Sequence, residues 1–260
     1  MHPLYVVALA GAAVGAMMIL LWAISVARRD VSIVDAFWGP GFLVLLLVAG
    51  IFGEGNPART RLLTVLVAIW SLRLGIYIAR RNWGEGEDYR YREIRARHGE
   101  GFWFKSLYIV FGLQGLLMLI IGAPLLAVAT LPSAPPFVAG DYLGVALFGV
   151  GFFFEAVGDR QLARFKADPA NKGRVMDQGL WRYTRHPNYF GETLIWWGFF
   201  LLALPVSIGK YLVFSPMLMT FLLLRVSGVS LLEKGMVERR PQYADYIRRT
   251  SAFIPMPPKK

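Results

Sequence analysis

Apolar residues in this chain come in long unbroken runs, not at helical or strand spacing, and the first run sets the scale. "LYVVALAGAAVGAMMILLWAISVA" carries no charge before Arg28, Arg29 and Asp30. A helix needs about 20 such residues to cross the hydrocarbon of a bilayer. On that scale the sequence predicts seven spans, at 4–26, 33–53, 61–79, 106–131, 142–162, 190–206 and 210–231. The expected fold is all-α integral membrane, seven transmembrane helices in a single bundle, with no repeat and no linker to a second domain. The first run is too long for a cleavable signal and ends in charges instead of a small-residue site.

The polar segments orient the bundle. Two cations follow the first span, seven lie between Arg80 and Lys105, six between Arg164 and Arg185, and seven from Lys234 onward, against Arg59, Arg61 and Lys210 on the opposite side. The positive-inside rule then predicts a cytoplasmic C-terminus and a periplasmic or lumenal N-terminus, in the inner membrane if the cell is bacterial. The same tally, with anionic lipid as partner, accounts for the net charge of +11, so nucleic acid is not an expected partner. Cysteine is absent, which removes disulfides and thiolate chemistry. Gly99 to Gly101 and Pro135-Pro136 read as connections, and the terminal "PMPPKK" as a frayed end.

Some charges do not fit that picture. Arg73, Arg160, Arg225, Asp35, Glu155 and Asp159 fall inside the proposed spans, where facing lipid would cost several kcal/mol each, and are expected to face a polar interior. Glu155 and Asp159 share a helix face, and Lys166 continues it. This predicts a charged cavity in the cytoplasmic half, walled by the third, fifth and seventh spans and capped by the loop before the sixth. The alternative is paired charges that tie helices together.

The stretch "MDQGLWRYTRHPNYFGETLIWWGFF" crowds Arg185, His186, Asn188 and Glu192 at the mouth of an apolar run. Upstream come Lys166, Lys172, Arg174 and Arg182, with Gly173 and Gly179 between them and Tyr183 and Tyr189 offering flat faces. Arginine forks and lysine point charges suit a ligand with several phosphates and an aromatic base. A dinucleotide meets that description, bound without a GxGxxG turn. His186 has only His2 and His98 for company, neither at ligand spacing, so no metal site is expected.

These residues carry a resemblance. "EAVGDRQLARFKADPANKGRVMDQGLWRYTRHPNYFGE" with the tail "LLEKGMVERRPQYADYIRRTSAFIP" resembles the carboxyl-terminal half of the steroid 5-alpha-reductase (3-oxo-5-alpha-steroid 4-dehydrogenase) superfamily, most closely its bacterial branch. "SIVDAFWG" and "GEDYRYREIR" resemble that branch too. The resemblance implies NADPH as cofactor within a seven-helix bundle and reduction of a carbon-carbon double bond conjugated to a ketone. It maps cofactor contacts to Arg73, Asp159, Lys166, Arg174, Tyr183, Asn188, Glu192 and Arg225, to which the charge reading adds Lys172, Arg185 and His186. Residues 142–260 are then mainly the cofactor half and 1–131 mainly the substrate pocket, with Gln114 where the steroid enzymes keep a glutamine. "RHPNYFGE" with a basic, Tyr-rich tail is similar as well to isoprenylcysteine carboxyl methyltransferases and phospholipid methyltransferases, which bind S-adenosylmethionine. Charge separates the two: the sulfonium is cationic and carries no phosphate, whereas five cations from Lys166 to Arg185 suit NADPH.

Hydride addition to an enone builds charge on the carbonyl oxygen, which a donor must stabilise. Asp35, as a neutral acid, is expected in that role; its other reading is a helix cap or a partner for an interior arginine. The tyrosine of the steroid enzymes falls at Trp70, so Tyr77, seven residues on, is the expected stand-in, with Trp38 a further donor near Asp35. The expected substrate is a lipophilic enone from the bilayer, a 3-oxo-4-ene steroid or similar terpenoid, with no obligate protein partner.

Overall fold

The computed structural model of the protein describes residues 1–133, 137–226, 233 and 236–259, with the backbone alone at 238 and 239. Pro135-Pro136, the end of the last expected span (227–231), Lys234 and Lys260 lie outside those residues. Among the described residues the fold is all-α, with one isolated β-bridge between Ser133 and Val206.

Proline and polar caps start the long helices. α1 (Pro3–Arg28) opens with Pro3 in its first turn while His2 Nδ1 accepts from the Leu4 N–H. α4 (Pro57–Asn82) opens with Pro57, and Asn56 Oδ1 accepts from the N–H groups of Ala58 and Arg59 at 3.0 and 3.2 Å. Proline gives up an N–H that would be unpaired there anyway, and such a cap is worth about 1 kcal/mol. α1 ends at Arg29, whose φ of 53° is left-handed. The conformation costs an L-residue roughly 1–2 kcal/mol.

The expected span 33–53 is broken. α2 (Ile33–Ala36) and α3 (Trp38–Phe52) are separated at Phe37. Backbone meets backbone beside this break: a Cβ on Gly39 would lie 2.9 Å from Ser71 Cα, and one on Gly75 2.8 Å from the Ala36 carbonyl oxygen. α5 (Tyr89–His98), capped by Asp88, leads through a short turn into α6 (Phe102–Ser106), a wide π-helical turn at Leu107–Gly112, α7 (Leu113–Ile121) and α8 (Ala123–Thr130).

The helices group into two compact units. The first comprises Met1–Val138 and Ala203–Leu212. In it α3 packs against α1, α4, α7 and α8, burying Phe42, Leu45, Leu63, Val67, Trp70 and Met118. Arg59 is fully buried there, and its Nη1 donates to Ser133 Oγ at 2.6 Å.

The second unit comprises Ala139–Leu202 and Val213–Lys260. It holds α9 (Ala139–Ala167), α10 (Pro187–Ala203), α11 (Phe214–Phe221) with a π-helical turn at Leu222–Val226, α12 (Met236–Arg239) and α13 (Tyr243–Arg249). Glycines set the distance between α9 and α10. A Cβ on Gly144 would lie 2.8 Å from the Gly198 oxygen, one on Gly151 2.5 Å from the Gly191 oxygen, and one on Gly158 3.1 Å from Pro187 Cγ. No side chain larger than hydrogen fits at the first two crossings.

Among the described residues five helical stretches are long and apolar enough to cross a membrane: Pro3–Arg28, Pro57–Asn82, Tyr89–Ile121, Ala139–Ala167 and Gly209–Val226. α3 has 15 residues and α10 has 17, below the length of those five. Large apolar side chains such as Leu4, Leu20, Ile51 and Ile76 stand on the outside, where the solvent is lipid. The protein is a multi-pass integral membrane protein.

Gly191→Ala puts a Cβ 2.4 Å from the Gly151 oxygen and is expected to cost about 1–3 kcal/mol. Gly149→Ala on the same face-to-face pair of helices meets nothing within 4 Å and should instead add about 0.5–1 kcal/mol through helix propensity. Thermal unfolding in detergent micelles ranks the two against the parent; a Gly191→Ala protein of parental stability would show that the helices are not in backbone contact.

Candidate functional site

The close approach of α9 and α10 brings together a polar face inside an otherwise apolar pair. Glu155 and Asp159 on α9 and Glu192 on α10 are all buried. Asn188, in the first turn of α10, donates from Nδ2 to Asp159 Oδ1 at 3.2 Å. Trp196 Nε1 donates to Glu192 Oε1 at 3.1 Å. A Cβ on Gly191 would sit 2.6 Å from the Glu155 nitrogen, so the glycine admits Glu155 to this face. On this face the buried acceptor Asn188 Oδ1 has no hydrogen-bond partner among the described residues. A buried polar atom left unpaired costs roughly 1–3 kcal/mol, so such an atom calls for a partner such as an ordered water or a ligand.

The connection from α9 to α10, residues 168–186, is held from both sides. Gln161 Oε1 accepts from the Leu180 N–H at 2.9 Å, Trp181 Nε1 donates to the Gly158 oxygen at 3.0 Å, and Gly173 and Gly179 adopt φ of 82° and 58°. Lys166, Lys172, Arg174 and Arg182 are exposed along it, and Tyr183 is 44% exposed. Next to it Arg182, Arg249, Lys259, Asp177, Gln178 and Thr250 line a cavity of about 520 Å³, in which Arg249 is paired with Asp177.

Arg185 and His186 serve a different purpose from the one expected. Arg185 is buried and donates to Glu233 from Nε (2.7 Å) and Nη2 (3.0 Å), and from Nη1 to the carbonyls of Thr250 (2.6 Å) and Ile247 (3.1 Å). His186 Nε2 lies 2.9 Å from Glu233 Oε1, and its ring stacks on Tyr189. These donors are committed to the carboxyl-terminal tail and leave no fork for a phosphate. The tail is not frayed, as the sequence suggested: Met256 N donates to Tyr183 O, Thr184 Oγ1 to Phe253 O, and Lys259 N to Arg249 O. Burial opposes the charge on Glu233, but hydrogen bonds from His186 and Arg185 outweigh it and draw its carboxyl down to about 2. Burial, followed by that same charge, pushes the Tyr243 hydroxyl up to about 12.

Arg160 and Arg225, expected to face a polar interior, are exposed. Arg73 belongs to the first unit, where its guanidinium lies 6.0 Å from the Tyr77 ring centroid.

Asp35 accepts from Arg90 Nη2 and from the Tyr91 hydroxyl, both at 2.6 Å. Both oxygens accept, which matches the alternative reading of Asp35 as a partner for an arginine. Trp70 is fully buried against Phe42, while Trp38 packs edge-on against the same ring. Gln114 is half-buried on α7, and its amide makes no hydrogen bond among the described residues. Among the described residues no group of three or more His, Asp or Glu side chains could hold a metal ion.

Sequence reasoning missed Glu233, Thr250, Arg90 and Tyr91. Their partners lie 48 to 65 positions away, beyond any local pattern. It also missed the glycine contact, although the spacing of seven between Gly144, Gly151 and Gly158, and between Gly191 and Gly198, is visible in the chain.

Residues 21–250 match the family described as "Protein of unknown function (DUF1295)", and the chain belongs to that family. It is similar to the uncharacterized protein C594.04c of Schizosaccharomyces pombe, 26% identical over 264 residues that cover 91% of this chain and 76% of the yeast protein. No solved structure matches it significantly.

Glu233 has a lowered folded value, so its contribution is complete above the ordinary carboxylate value of 4.5 and is lost as pH falls from there towards about 2. Limited proteolysis of the tail at graded pH should therefore show protection down to about pH 4.5 and cleavage below it. Glu233→Gln should expose the tail already at neutral pH; continued protection of that variant would mean that the ion pair does not hold the tail.

Proposed function

We propose that the protein reduces a lipophilic enone, a 3-oxo-4-ene steroid or similar terpenoid taken from the bilayer, with NADPH held in the second unit. The observation that carries this reading is the buried face of α9 and α10, where Asn188 Oδ1 has no hydrogen-bond partner among the described residues and lies beside Asp159. Asn188 Oδ1 suits an amide N–H or a sugar hydroxyl, and the exposed cations of the adjoining connection suit phosphates, so the residues present fit the cofactor. The resemblance to the steroid 5-alpha-reductase superfamily supports the same assignment. In this reading α3 and α10 are short crossings, giving seven in all, with the C-terminus cytoplasmic.

The roles follow from the chemistry of each side chain. Lys166, Lys172 and Arg174 hold phosphates, with Arg225 as a further cation. Asp159, Asn188 and Glu192 orient sugar, amide or base, and Tyr183 offers a flat face. When bound, the reduced nicotinamide supplies the hydride. Charge that develops on the substrate carbonyl needs an oriented donor in a dry site. Tyr77 and Gln114 can donate, and Trp38 adds an N–H. Asp35 fixes Arg90 and Tyr91 and so shapes the pocket wall.

A specific observation favours a second reading. Glu155, Asp159 and Glu192 are three buried acids on one face, a set that also suits the cationic sulfonium of S-adenosylmethionine in a membrane methyltransferase.

Energy transfer from protein tryptophan to NADPH, titrated in nanodiscs, should saturate and be reversed by 2′,5′-ADP, while S-adenosylmethionine gives no competition. Asn188→Leu should weaken NADPH about tenfold, the loss of roughly one buried hydrogen bond. Saturable binding of S-adenosylmethionine without NADPH binding would overturn the reductase in favour of the methyltransferase.

A further inference from the structure

The cavity at the carboxyl end of α1 contains none of the residues assigned to cofactor or substrate. Ser25, Arg29, Arg95, Phe102, Trp103 and Ser106 line most of its volume of about 330 Å³, at the small end of the range of about 300–1,000 Å³ usual for ligand sites. We propose that this cavity binds the phosphodiester headgroup of an anionic phospholipid.

The charges come first. Arg29 is exposed, and its guanidinium makes no hydrogen bond or ion pair among the described residues. Arg95 is bound to Glu87 through Nε and Nη2, at 2.9 and 2.7 Å, and stacks 4.6 Å above the Phe102 ring. The nearby Asp30 is engaged by Ser32 through its N–H and hydroxyl. Of the two cations in the lining, Arg95 is matched by Glu87, so Arg29 leaves one positive charge for a monoanionic phosphodiester. Arg29 also stands in the left-handed conformation at the end of α1, where glycine is the usual residue. Retaining an arginine at such a position is unfavourable for the backbone and points to a task for its side chain.

The walls favour a lipid over a soluble phosphate. Trp22 and Trp103 stack with ring centroids 6.4 Å apart, and Trp22 Nε1 donates to the Trp103 carbonyl. Indoles settle at the headgroup level of bilayers. Ile24 and Val26 on α1 are 40% and 37% exposed, and Val26 itself lines the cavity, so an acyl chain has an apolar wall to follow from the headgroup towards the membrane interior.

Arg29→Gly deletes the guanidinium and suits the left-handed backbone, so the delipidated variant should unfold at or above the parental temperature in neutral detergent. Phosphatidylglycerol added to the micelles should raise the midpoint of the parent, whereas phosphatidylcholine and the free headgroup glycerophosphoglycerol should not. Arg29→Gly should need about fivefold more phosphatidylglycerol for the same shift, and Arg28→Gln, one residue away and outside the cavity, should respond like the parent. Equal losses in the two variants would reduce the effect to general surface charge and overturn the site. A shift with glycerophosphoglycerol alone would replace the lipid by a soluble phosphodiester, and an unchanged response of Arg29→Gly would remove the cavity from lipid binding.

Discussion

The contact of α9 with α10 through bare backbone is the constraint on which the second unit depends. Lipid is as apolar as leucine, so two helices in a bilayer gain little by exchanging lipid contacts for leucine contacts. They gain by approaching closely, and only glycine allows the carbonyls of residues 144 and 151 to meet residues 198 and 191 at the distances found. That approach has a chemical consequence. It presses together the polar side chains one turn away, Glu155 and Asp159 from one helix and Asn188 and Glu192 from the other, in a place where each alone would be costly.

The connection between these helices is governed by a different force. Its ordering comes from charge and hydrogen bonding, with Arg185 spanning Glu233 and two tail carbonyls and Trp181 reaching back to Gly158. A guanidinium with its donors satisfied on a fixed carboxylate and fixed carbonyls is a rigid joint. The cations further along, Lys172, Arg174 and Arg182, are exposed instead. The same short segment therefore contains both structural cations, which are spent, and cations that face water and can meet a ligand. Sequence alone could not divide them, because an arginine reads the same in either role.

That division marks what was legible in the chain. The apolar runs announced a membrane protein and located most of the helices, because a bilayer imposes a length that any reader can count. The break at Phe37 and the wide turns at 107–112 and 222–226 were invisible for the same reason: they sit within apolar runs and change no charge. Glu155 and Asp159 were correctly read as buried from their spacing of four, whereas Arg160, adjacent to Asp159, is exposed, as the rotation of about 100° per residue requires. Asp35 was legible as an interior acid, but its partners on α5 were not, since Arg90 and Tyr91 look like ordinary members of a cytoplasmic basic loop.

Asp35 and Glu233 show the same logic at the two ends of the chain. Each is a carboxylate that accepts from an arginine and from a second ring-bearing donor, Tyr91 in one case and His186 in the other. Each fastens a polar segment onto the start of a membrane helix, α5 onto α2 and the tail onto α10. An acid so engaged has its oxygens occupied by donors on a second segment of the chain. The fastened acids contribute rigidity, which a preorganised site requires before its donors can act at all.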